Sequence, residues 1–125
     1  MAVGTAPVAE ITKRSVRKVP WSWTSGTGAE GGTVAVPTVA TFDGKLVGFS
    51  TIPSGGGTAP TDNYDITITD ADGHDVLLGA GANRDTANTE HVAEASLGAV
   101  AGSKLTLNVA AAGDAKLGVA VLYIR

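Results

Sequence analysis

Polar and apolar residues alternate most cleanly over Asn63–Leu78. Tyr64, Ile66 and Ile68 are interleaved with Asp65, Thr67 and Thr69, the two-residue period of a strand with one buried face. Asp70-Ala71-Asp72-Gly73 then supplies turn chemistry, and Val76-Leu77-Leu78 returns as a second apolar run, so the segment predicts a β-hairpin. The same style recurs along the chain. Thr33–Thr38 predicts a short strand with Val34 and Val36 on one face, closed by Pro37, and Asp43-Gly44 predicts a turn into a longer strand over Lys45–Ile52. Lys104–Val109 places Leu105, Leu107 and Val109 on one face, and Ala110–Asp114 turns the chain. Leu117–Ile124 is apolar on both faces, as befits a strand in the middle of a packed sandwich.

The remaining segments are harder to read. Met1–Glu10 is small, proline-containing and nearly patternless, and reads as an arm that is flexible alone and ordered against a neighbour. Ile11–Thr24 is extended, with Ile11, Lys13, Ser15, Arg17, Val19, Trp21 and Trp23 on one face; Pro20 marks it as an edge strand or a bend. Ser25–Gly32 is loop, and the triple glycine of Pro53–Pro60 predicts a mobile tip. Gly79–Ala95 opens as a glycine-rich loop and ends either as a short helical turn capped by Thr89 or as a strand edge. Seven to eight strands with regular turn signals and little helix predict an all-β fold. The expectation is a single antiparallel β-sandwich over residues 11–125, with the jelly roll as one compatible arrangement, preceded by an extended arm over 1–10. No fixed-period repeat points to a solenoid or propeller.

Composition narrows the function classes. The 125 residues suffice for one domain, and the apolar content of 43% is carried by Ala, Val, Leu and Ile, with only 5% aromatics and 17 glycines. Small side chains suit tight turns and closely apposed sheets better than large ligand pockets, which favour aromatic walls. Cysteine is absent, which excludes disulfides and thiolate metal sites. The N-terminus carries no basic segment followed by an apolar run, and no apolar stretch has the length of a membrane span. The expectation is therefore a protein made in the cytoplasm, with no membrane partner.

The net charge of −3 speaks against nucleic acid as the main partner, yet charge is unevenly spread. Lys13, Arg14, Arg17 and Lys18 put four of the nine basic residues within six positions. Two readings stand equally: docking onto an acidic protein surface, and charges that keep an edge strand from unwanted pairing. Trp21 and Trp23, at i and i+2, share one face; they either cover the core or anchor a subunit contact. These six residues are the candidate partner-binding set.

No other cluster carries chemistry. Asp70–Asp75 has its glycine at the fourth position, not the sixth, and Gly81 where an EF-hand needs glutamate, so a hairpin turn explains it better than calcium does. Gly79–Arg84 lacks the third glycine of a dinucleotide loop and the Gly-Lys-Ser/Thr of a P-loop, leaving Arg84 as a surface or intersubunit ion-pair residue. His74 and His91 lack further spaced metal ligands, and Ser50 lacks a nucleophile elbow and lies inside a strand. We expect no catalytic residue, no metal and no cofactor.

Lys45–Ile52, the run Thr58–Gly73, Leu105–Lys116 and the closing Val119–Arg125 together resemble small structural proteins of tailed bacteriophage heads and tails. The resemblance covers roughly Lys45–Arg125 and rests on strands and turns, with no diagnostic site motif. It implies a virion component, and in size, acidity and β-rich character a capsid decoration (cement) protein. Such proteins sit as homotrimers on the capsid exterior and clamp neighbouring capsomers, with the major capsid protein as partner. The arm and Lys13–Lys18 would face that partner, and the glycine-rich loops would face outward. Other virion roles (tail tube, tail terminator, head completion) and a carbohydrate-binding β-sandwich module are the alternatives. The last would need exposed aromatics, for which Trp21 and Trp23 are the candidates.

Overall fold

A computed structural model describes residues 3–8, 15–28, 31–38 and 40–125. The chain is all-β, with eight strands among the described residues: β1 Arg17–Thr24, β2 Val34–Pro37, β3 Phe42–Pro53, β4 Asp65–Thr69, β5 Glu90–Ala93, β6 Ala99–Ser103, β7 Thr106–Ala110 and β8 Leu117–Ile124. Every strand pairing is antiparallel. The larger sheet runs β1-β8-β3-β5, with β6 also on β3, and the smaller runs β2-β7-β4. β6 follows β5 along the edge of β3 away from β8: the Lys45 amide and carbonyl bond Arg125, while the next amide, Leu46, donates to Gly98.

The alternation read from sequence is what builds the core. Val19, Trp21 and Trp23 of β1, Leu46 and Phe49 of β3, and Ala120, Leu122 and Ile124 of β8 point inward from one sheet. They meet Val34, Ile66, Ile68, Leu107 and Val109 from the other in a single apolar cluster. Trp23 stacks obliquely against Tyr64 across the two layers, ring centroids 5.6 Å apart. Gly118, beneath Trp23, makes this possible, since a methyl group there would lie 2.6 Å from the indole. β8 is the central strand its double-sided apolarity predicts, flanked by β1 and β3. β1 is an edge strand of its sheet, and Pro20, which has no amide hydrogen to give, is accommodated within it.

Two local expectations need correction, and one open reading is decided. Asp43-Gly44 is no turn; it lies inside β3 at an irregularity in the pairing with β6, where the Arg125 carbonyl occupies the space of a Gly44 side chain. In the hairpin, the turn forms and Thr69 bridges Asp75, but Val76–Leu78 does not continue as a strand. The Asp75 carboxylate accepts the amides of Ile68 (3.2 Å), Leu77 (3.1 Å) and Gly79 (2.9 Å) and bends the chain away. Residues 75–84 then run along the outer edge of β4, whose ladder partner is β7. Finally, Thr89–Ala95 resolves as β5 followed by a single 3-10 turn, Glu94–Ser96.

The arm is described from Val3 to Val8, and it pairs with its own chain. Thr5 and Thr24 exchange hydrogen bonds, Ser22 donates to Pro7, and Ala6 is buried in the core. The glycine loop after β3 is crossed by a Ser54–Thr58 hydroxyl contact (2.8 Å) and a Lys116 ammonium bond to Gly57 (2.9 Å). Among the described residues no helix is long and apolar enough to cross a membrane.

Candidate functional surface

Because alternate side chains leave opposite faces of a strand, the register defines what the larger sheet presents outward. One row across it reads Ser22–Val119–Ile52, the next Pro20–Val121–Ser50–His91, and the third Lys18–Tyr123–Gly48–Ala93. Lys18 is the only fixed charge in these rows. Val121 is buried although it lies on this outer face and outside the core cluster. At the end of the face near Thr24, a groove of about 310 Å³ opens between Ile52, Pro53, Leu117 and Val119, with Trp23 at its floor beside Gly118. Ile52 and Leu117 are 40% and 38% exposed there.

The opposite end of the sheet is basic. Arg17 and Lys18 open β1 in register with Ile124 and Tyr123, while Arg125 exchanges backbone bonds with Lys45. Four basic residues from three strand segments thus converge. The Arg17 guanidinium also donates to the Asp43 carbonyl, and the Lys45 ammonium to the carbonyls of Leu97 (2.9 Å) and Gly98 (3.2 Å). Lys13 and Arg14 lie outside the described residues. Trp21 and Trp23 are 0% and 1% exposed, which corrects their candidacy as partner anchors: they are core.

The structure brings together one pair that lies 41 residues apart in sequence. Ser50 Oγ and His91 Nδ1 are 2.7 Å apart, and the imidazole stands edge-on to Tyr123 with ring centroids 6.0 Å apart. The ring lies over Gly48, where a methyl group would meet it at 2.9 Å. Ser50 sits inside a strand paired on both sides, so the neighbouring amides are held in ladders and are not gathered around the hydroxyl as an oxyanion site needs. The pair orients a histidine on the face. No local sequence signal marks it, because it depends on β3–β5 register.

No protein-family model, curated protein or solved structure matches this chain. The functional reading therefore rests on the surfaces themselves.

Five acidic residues of the middle segment, Asp62, Asp65, Asp70, Asp75 and Asp85, hold backbone. Asp70 Oδ1 accepts the amides of Asp72 and His74, both at 3.0 Å, in a self-contained turn. Asp65 accepts Asn83, and Asp62 accepts Thr86. The Asn88 side-chain amide, with help from the Ala87 amide, holds the Asp85 carboxyl below its ordinary range. Arg84 pairs with Glu90 of the same chain at 3.7 Å. Among the described residues no three His, Asp or Glu side chains gather as a metal site.

Proposed function

We propose that this chain is a capsid decoration (cement) protein of a tailed bacteriophage. On this reading it binds the outside of the mature head, self-associates there as a homotrimer, and holds neighbouring capsomers together through the major capsid protein. The observation that carries the reading is the charge separation of a net-acidic chain: Arg17, Lys18, Lys45 and Arg125 converge at one end of the larger sheet. Such an end suits an acidic protein surface, where complementary charge sets orientation and encounter rate. The carboxylates of Asp62, Asp65, Asp70, Asp75 and Asp85 are occupied with the chain's own loops, which favours a passive, load-sharing part over a reactive one. The burial of both tryptophans removes the aromatic platform that a carbohydrate-binding module would use, and the remaining rings are buried or, for Tyr123, half-buried.

The mechanism is mass action. Each copy stabilises only the lattice it binds, and many modest contacts add to the free energy needed to open the shell. Co-sedimentation of the purified protein with mature heads tests this. Saturable binding that weakens as salt rises from about 50 to 500 mM is the expected result, because charges on the surface are screened over a few ångströms at high salt. Lys18→Glu is expected to weaken binding several-fold at low salt. Binding indifferent to both changes would remove the basic end from the account, and no binding at all would remove the function.

A further inference from the structure

One exposed side chain on the outer face of the larger sheet is held more firmly than its exposure requires. His91 lies on the edge strand β5, yet Nδ1 is 2.7 Å from the buried Ser50 hydroxyl. Its ring also covers Gly48, where a methyl group would collide with it, and stands edge-on to Tyr123. A hydroxyl both gives and takes a hydrogen bond. Ser50 therefore holds the neutral ring by donating to Nδ1 and the protonated ring by accepting from it, so the imidazole keeps its place when it gains charge. Nε2, outside the pair, is then a donor for a partner. Leaning over Gly48, the ring enters the row Lys18–Tyr123–Gly48, with Tyr123 between it and Lys18. Two steps of about 4.8 Å across the sheet put the Lys18 and Gly48 backbones about 10 Å apart. The other groups around the ring do not offset a charge there. β3 contributes Ser50 and Gly48, and β8 contributes Tyr123. Glu90 leaves β5 by the opposite face, where it accepts the Asp85 amide and pairs with Arg84, and Glu94 follows in the 3-10 turn. Lys45 turns to the carbonyls of Leu97 and Gly98. Among the described residues no carboxylate forms an ion pair with His91.

We propose that His91 is a pH-dependent extension of the basic end: once protonated, it joins Lys18 in binding a carboxylate-bearing segment of the partner protein across Tyr123. Histidine gains its charge as pH falls from about 8 to about 5. Glutamate, with an ordinary pKa of about 4.3, stays ionised through most of that range, so the attraction grows on the acid side. The partner's identity rests on the proposed function; the site itself is tested without viral shells, so the two fail separately.

The test titrates hexaglutamate into the full chain at low salt, followed by NMR of the imidazole protons. Affinity at about pH 5.5 is expected to exceed that at about pH 8 by roughly two- to fivefold, the size of one exposed charge pair. The His91 ring signals should shift as the peptide saturates. His91→Gln should bind equally at both pH values, whereas His74→Gln, in the exposed Asp70–Asp75 turn, should keep the wild-type rise. A wild type that binds the peptide equally at both pH values or at neither, a His91→Gln variant that keeps the rise, or ring signals that ignore the peptide would each overturn the inference. The same comparison with mature heads separates the two claims. A pH-responsive peptide site on a protein that binds no heads would remove the proposed function and leave the site standing; heads bound equally at both pH values would remove His91 from the contact.

Discussion

Single atoms decide much of what this core tolerates. Tyr64 is fully buried, and neither its hydroxyl nor the Thr51 hydroxyl near it satisfies hydrogen-bond geometry; the indole nitrogens of Trp21 and Trp23 are likewise unpartnered. Burial pushes the Tyr64 pKa up to about 12, against a smaller downward pull from Thr51. A raised folded-state pKa means a contribution that is whole below the unfolded value of 10 and is lost as pH climbs through about 12. Stability is therefore expected to fall between pH 10 and 12, and Tyr64→Phe should abolish that fall. At pH 7 the substitution should leave stability unchanged or raise it by up to about 1 kcal/mol, since it removes an unsatisfied buried hydroxyl. Urea unfolding of both proteins at pH 7 and pH 11 checks this; a loss above about 2 kcal/mol at pH 7 would mean the hydroxyl has a partner such as bound water. The apolar partners Ile66, Ile68, Leu107 and Val109 were plain in the alternation. The fate of Trp21 and Trp23 was not, because their period places them on one face without saying whether that face is the core or a subunit contact.

Strands with strong apolar periods were readable as elements, and those defined by their partners were not. Lys45–Ile52 and Leu117–Ile124 stand out by composition alone. β6 has the sequence Ala-Val-Ala-Gly-Ser, with one large side chain, and it exists because the edge of β3 offers it a ladder. The same holds for β5, whose pairing positions His91 beside Ser50. Edges also explain Asp75. As a turn residue it looked interchangeable with its acidic neighbours, yet it binds three amides and lays residues 75–84 along β4, where an open edge would invite pairing with other chains. Asp75→Ala is expected to cost about 3 kcal/mol, the order of losing charge-assisted bonds to partly buried amides. The variant should also show faster proteolysis within 75–84. A cost below about 1 kcal/mol in urea unfolding would mean that the segment holds itself without the carboxylate.

On the scale of the whole molecule, two sheets around one core leave a slab with distinct ends: a basic one around Lys18 and Arg125, and an apolar groove around Ile52 and Leu117. The polarity was half visible in the run Lys13–Lys18; that Lys45 and Arg125 join it follows only from strand order. The groove left no trace in sequence, since Leu117 and Ile52 lie far apart along the chain and face outward by register. Both ends suit the proposed role of lying between other proteins. The most direct test is the temperature at which naked mature heads burst and release DNA, followed with and without saturating protein. A rise that tracks occupancy and levels off when the sites are full is the predicted result; heads that carry the protein at full occupancy and still burst at the naked temperature would contradict the account.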